Sequence, residues 1–249
     1  MNNFKKKYVL THTSNIHKPN PGKNLSILVG GQKYIRLPIR TRLIMKGDDL
    51  MSLLEEYVVP HLKPDDIIFI SEKILAITQG RIILIKDITP SPLARLLARN
   101  VKNKLNTPDF RGFGHGTSRA MELLIREAGY PRAFFAAAVS AVTRPFGIKG
   151  LFYFICGKRA KSIDCPMSFT LHPYNNYAKL APANPTGVAK EIQKKLGNEV
   201  VIIDANYIGV FSLGKSNKNI REKFIQAVLK DNPAGQSEEM TPFFIIRKE

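Results

Sequence analysis

The sequence predicts a mixed α/β fold, of the α+β kind rather than a doubly wound parallel sheet. Three observations predict it. Apolar residues make up 44% and charged residues 23% of the 249 positions, a globular composition that excludes wholesale disorder. Apolar runs of strand length and segments with helical apolar spacing both recur along the chain. Their order keeps no strict strand–helix rhythm, so a sheet built only from βαβ units is not expected. The length suffices for one large core or two modest ones.

The elements follow from local signals. Residues 25–29 and 32–36 flank Gly30-Gly31 and read as a small hairpin. Residues 34–39 are β-prone, and Pro38 makes them an edge or terminal strand. Gly47 precedes Asp48 and Asp49, either of which can cap a helix. Leu50, Leu53, Leu54, Tyr57 and Val58 continue it at helical spacing until Pro60 and Pro64. Residues 67–70 form a short apolar strand, and 81–88 are rich in β-formers. Ser91 with Pro92 opens a basic amphipathic helix over 93–101. Residues 106–118 read as loop, and 119–129 as a helix stopped by Gly129. Residues 133–142 are an Ala-rich apolar segment expected to be buried, and 151–156 are expected to form a central strand. Residues 169–171 are a further strand candidate, followed by loop over 172–187. A helix over 188–196, strands at 200–203 and 208–213, a helix over 218–230 and a strand at 243–246 complete the pattern. Pro/Gly punctuation near 105–118 and 145–165 marks candidate lobe boundaries.

Charge narrows the function classes. Lys and Arg number 38 against 20 Asp and Glu, a net +18. Residues 1–50 hold ten Lys/Arg and only Asp48 and Asp49 as acids. Such a surface attracts either nucleic acid or membrane, or small polyanions such as nucleoside triphosphates. No arginine-rich helix, RNP-type aromatic pattern or zinc finger accompanies it. Cys156 and Cys165, the two cysteines, form no zinc framework, and a reducing cytoplasm is the expected compartment. The longest apolar stretch, 133–156, is interrupted by Arg144, Pro145 and Lys149, so no membrane span is expected. The start, MNNFKKKYVL, lacks the apolar run of a signal peptide.

Three motifs suggest chemistry. VVIIDAN, residues 200–206, delivers Asp204 and Asn206 at a strand end, where a hard oxygen reaches Mg²⁺ or Mn²⁺ or where Asp204 simply caps a turn. Residues 231–242 gather Gly235, Gln236, Ser237, Glu238 and Glu239 on a loop that either holds phosphate and cation or is a polar solvent turn. Arg111-Gly112-Phe113-Gly114-His115-Gly116-Thr117 is a phosphate nest or a linker, matching neither the Walker nor the dinucleotide spacing. Asp164, after the basic run 158–161, is a metal ligand or a surface acid. No Ser-His-Asp or Cys-His order stands out, so no catalytic residue is assigned.

TRLIMKGDDL (41–50), PDDIIFISEKILAITQGR (64–81) and PSPLARLLA (90–98) resemble the amino-terminal half of the coenzyme F-420:L-glutamate ligase (γ-glutamyl ligase) family. LAPANPTGVAKEIQKKLGNEVVIIDAN (180–206) is similar to that family's Pro-rich loop, helix and Asp-bearing strand, and GQSEEMTPFFIIR (235–247) to its Gly-Gln loop and last strand. The resemblance implies a ligase-like fold with mixed sheets in an intertwined homodimer. It divides the chain into a basic extension at 1–34, one ligase-like lobe at 35–105 and another at 106–249. It implies amide formation between L-glutamate and a carboxylate of the F-420 precursor through an acyl phosphate, with GTP as co-substrate. It implies Mg²⁺ or Mn²⁺ held by Asp164, Asp204 and Gln236. It implies a nucleotide against Ser71, Lys73, Gly235, Gln236, Ser237 and Asn206, with Asn175 or Asn176 replacing a missing contact. Ala205 stands where the family has a hydroxyl residue, and Ile77 and Gln79 where it has Lys and Glu. The block 107–163 has no counterpart in the family pattern. A non-catalytic or nucleic-acid-associated binding protein on the ligase scaffold is the alternative.

Overall fold

β1 (Ser26–Val29) and β2 (Gln32–Ile39) form the expected hairpin, Val29 opposite Gln32. Gly30 and Gly31 take φ of 58° and 81°, the left-handed pair a type I′ turn requires. The computed structural model describes residues 18–100, 117–148, 150–165, 167, 171–206, 209–235 and 239–249. Residues 106–116, 168–170, 207–208 and 236–238, on which parts of the readings above fall, lie outside the described residues. Contacts divide the chain into two units, residues 1–80 with 182–249 in one and residues 81–181 in the other.

The first unit is a six-stranded mixed sheet in the order β1-β2-β8-β3-β6-β7, with β3 (Ile67–Ser71), β6 (Glu199–Asn206), β7 (Gly209–Lys215) and β8 (Phe243–Lys248). Only β3 and β6 pair in parallel, and the other neighbours are antiparallel. Ile68, Phe69 and Ile70 are all fully buried, which is why β3 reads as an unbroken apolar run rather than an alternation. The pleat turns Phe69, Val201, Ile203, Phe244 and Ile246 to one face, where they pack with Ile225 and Val228 of the helix Glu222–Val228. Pro38 pairs with β8 beyond the end of the β1 ladder, where β2 has one neighbour.

Asp49, not Asp48, caps α1 (Leu50–Tyr57), accepting from Ser52 N–H at 2.8 Å, and Leu50, Leu53, Leu54 and Tyr57 are its buried stripe. α2 (Glu72–Thr78) follows β3 without a loop. Gln79 then bonds Ala183 reciprocally, Nε2 to the carbonyl at 2.9 Å and N–H to Oε1 at 2.7 Å.

The second unit opens with β4 (Ile82–Leu84), paired antiparallel with β5 (Tyr177–Lys179). The expected β-rich run at 81–88 is strand only over those three residues, and Ile85–Asp87 turn as a 3₁₀ helix. α3 (Pro92–Arg99) is capped by Ser91, and α4 (Ser118–Ala128) by Thr117. α4 buries Ala120, Met121, Leu123, Leu124 and Ile125 completely, as the central helix of this core. Its buried Glu122 accepts from Ser91 N–H (2.9 Å), Arg126 Nε (2.9 Å) and Tyr130 Oη (3.2 Å), satisfying a charge that would otherwise be costly to bury.

Two expectations are corrected here. Residues 151–156 are not a strand but α6 (Leu151–Cys156), which follows α5 (Tyr130–Thr143). Alternation would put Phe152, Phe154 and Cys156 on one face. The structure buries Phe152 and Cys156, four apart, and exposes Phe154, the spacing of a helix. Residues 133–142 are helical, yet only Ala133 and Ala136 of α5 are buried, because this helix has one covered face. The short helix Lys158–Lys161 completes the unit as α7. Among the described residues no helix is long and apolar enough to cross a membrane.

Candidate active site at one end of the sheet

Parallel pairing brings the carboxyl ends of β3 and β6 together, Ser71 beside Ile203. β8 runs the other way and begins at the same end, Phe243 pairing with Ile70 on one side and Ile39 on the other. Ser71 N–H donates to the Pro242 carbonyl and Thr41 N–H to the Met240 carbonyl, both at 2.9 Å. Carboxyl ends of adjacent strands are where open α/β sheets place ligands.

Asp204 lies on β6 opposite Phe211 and is half-buried. Ile203 and Ala205 pack on the apolar core of this unit, so the pleat turns Asp204 to the other face. That packing is what an alanine supplies where the family pattern has a hydroxyl residue. Asn206 ends the strand. Ser71 stands at the cap position of α2, and its hydroxyl makes no capping bond. Lys73 is half-buried in the first turn, after the buried Glu72. Glu72 was not singled out above. Its signal was an acid set directly after an apolar strand.

The loop before β8 is fastened from far away. Asn20 donates to the Pro233 carbonyl and to Thr241 Oγ1, both at 2.8 Å, and Thr241 Oγ1 donates to the Ala234 carbonyl at 2.9 Å. Asn232 Nδ2 reaches the Gly235 carbonyl at 3.1 Å. Gly235 has φ of +70°, and a Cβ there would run into the Glu239 carboxylate. The left-handed backbone favours glycine here, whereas the Glu239 side chain could swing aside from a Cβ. Asp231, at the head of this loop, is held below the ordinary carboxylate value: burial pushes it up, and the hydrogen bonds and charge of Arg36 outweigh that.

Ser71, Lys73, Asp204 and Asn206 thus belong to one end of one sheet, and Gly235 to the loop that leads into β8. Gln236 and Ser237 lie outside the described residues. Asp164, Asn175 and Asn176 belong to the second unit. There Asp164 exchanges backbone bonds with Lys179, and its carboxylate is 3.6 Å from the buried Lys179 ammonium, which donates to the Ser162 carbonyl at 2.8 Å. Asn175 and Asn176 are exposed on a 3₁₀ turn. Burial pushes the thiols of Cys156 and Cys165 up to about 11, which makes both poor nucleophiles at neutral pH. Among the described residues no group of three or more His, Cys, Asp or Glu could hold a metal ion, and Asp204 is the sequence-assigned hard-oxygen donor present at this sheet end.

Residues 38–136 match the family model described as F420-0:Gamma-glutamyl ligase. Over that stretch the chain is similar to that family. The match spans 99 of 249 residues (136 − 38 + 1), from the end of β2 into α5. The F420-0:gamma-glutamyl ligase match therefore continues through 107–136, a stretch for which the resemblance offered no counterpart. The model describes ligases of the γ-glutamyl type. No curated protein sequence matches the chain.

Proposed function

We propose that this chain is a GTP- and divalent-cation-dependent ligase that joins the amine of L-glutamate to a carboxylate of the F-420 precursor or a related phosphorylated acid. The observation that supports the reading is that Ser71 and Asp204 stand at the adjoining carboxyl ends of β3 and β6, in a chain whose residues 38–136 match the γ-glutamyl ligase model.

In the proposed reaction a substrate carboxylate oxygen attacks the γ-phosphorus, and the bond to GDP breaks. The glutamate amine then attacks the acyl carbon, the carbon–oxygen bond to phosphate breaks, and the amine gives up a proton. Phosphoryl transfer asks a protein chiefly for positioning and charge. Lys73 supplies a cation beside the phosphates. Asp204 contributes a hard oxygen to Mg²⁺ or Mn²⁺, which when bound offsets triphosphate charge.

The test uses the full chain with GTP, Mn²⁺, L-glutamate and the precursor, following phosphate release and product mass. Asp204→Ala is expected to lower turnover by roughly 100-fold or more, the scale of losing an electrostatic contact to the transferring group. Unchanged turnover removes Asp204 from the site. Turnover with ATP equal to that with GTP removes the nucleotide assignment.

A further inference from the structure

We propose that the outward face of α5 and of the turn that follows it docks on an anionic lipid membrane, lying in its interfacial layer. Phe134, Phe135, Val142 and Phe146 are each 60–80% exposed. Large side chains of this kind rarely stand together in water without a partner. On α5 they follow helical spacing: Phe134, Phe135, Ala138, Ala141 and Val142 form one outward stripe, opposite the buried Ala133 and Ala136. No charged residue interrupts that stripe. Phe146 and Ile148 extend it through the turn after α5.

The charge around this face selects the occupant. Between Glu127 and Asp164 the sequence holds six Lys/Arg and no acid. Residues 81–181 hold 16 Lys/Arg and 5 Asp/Glu, so this unit contributes +11 of the chain's +18. The nearest acids are engaged inside the unit: Glu122 with Arg126, and Glu127 with Arg81 and Arg159. Arg132 and Arg144 are exposed at the margins of α5. An apolar stripe flanked only by cations complements a surface with an apolar interior and anionic headgroups. A polyanion without an apolar layer would meet the cations and leave Val142, Ala138 and the phenyl rings in water. α5 has 14 residues, about 21 Å at 1.5 Å per residue, too short for a hydrocarbon core of about 30 Å. The helix therefore lies along the surface.

The test is sedimentation of the full-length protein with vesicles of phosphatidylcholine alone, or with about 30% phosphatidylglycerol, at low and at about 0.5 M salt. The expected result is at least about tenfold stronger partition into the anionic vesicles, weakened about fivefold or more by salt. The triple variant Phe134→Ser, Phe135→Ser, Phe146→Ser is expected to lose about tenfold or more in partition while keeping its circular dichroism and melting temperature. Val142→Asp, alone, is the second variant and is expected to weaken partition in the same direction. Equal partition into neutral vesicles overturns the proposal, as does full partition of both variants. So does absence of vesicle binding, whether the face is then found to hold RNA or, by light scattering, a second copy of the chain.

Discussion

Arg36 is 1% exposed and donates to the carbonyls of Asn24 and Val228 and to both carboxylate oxygens of Asp231. The depressed value of Asp231 fixes the sign of its pH dependence. Its unfolded carboxyl titrates at about 3.9, and the folded one lower. The stabilisation is thus complete above the unfolded value and is lost as pH falls through the folded one. Asp231→Asn is expected to destabilise by about 2–3 kcal/mol at neutral pH, less than for a fully buried pair because the carboxylate is partly solvated. Urea melts of both proteins should converge as pH drops below about 4. A difference independent of pH would contradict the ion pair. The sequence puts Asp231 at the head of a loop that either holds phosphate and cation or is a polar solvent turn. The partner of Asp231 is 195 residues away, and no local pattern reports such a contact. Asp49 was legible because a cap and its amide are neighbours in sequence.

Helix starts were the most readable elements, for the same reason. Ser91 followed by Pro92 predicted α3, and Ser91 Oγ accepts from Ala94 N–H at 3.2 Å. Ser91→Ala is expected to cost about 1 kcal/mol in a chemical melt, with Ser91→Thr recovering most of it. Equal losses for both variants would place the effect in the packing rather than in the cap. The aromatic run of α6 was misread because β-formers in a short segment carry no phase information until a partner surface selects two of them. Here Phe152 and Cys156 join Ala133 and Ala136 in one core. The same limitation hid the bareness of α5, since an apolar composition states what a segment could bury and not how much cover it receives.

At the scale of the molecule, the first unit is assembled from two stretches separated by the second. Asp204 was visible in a motif, but its place next to Ile203, the partner of Ser71, depends on β3 pairing with β6, a strand from the other side of that insertion. Sequence order alone does not give such a register. β8 is interior, between β2 and β3, so a chain stopped after Pro242 loses a middle rung of the sheet. That truncation is expected to be recovered as insoluble aggregate. A soluble truncated protein with a native far-UV spectrum would show that the sheet tolerates the gap.

The position of β3 also bears on synthesis. Both of its edges stay unpaired while the whole second unit is being translated, because β6 and β8 are encoded downstream of it. An apolar strand waiting in that state is a template for the wrong partner. Yield in a foreign host should therefore depend on translation rate and chaperone supply more than on the stability of the finished fold.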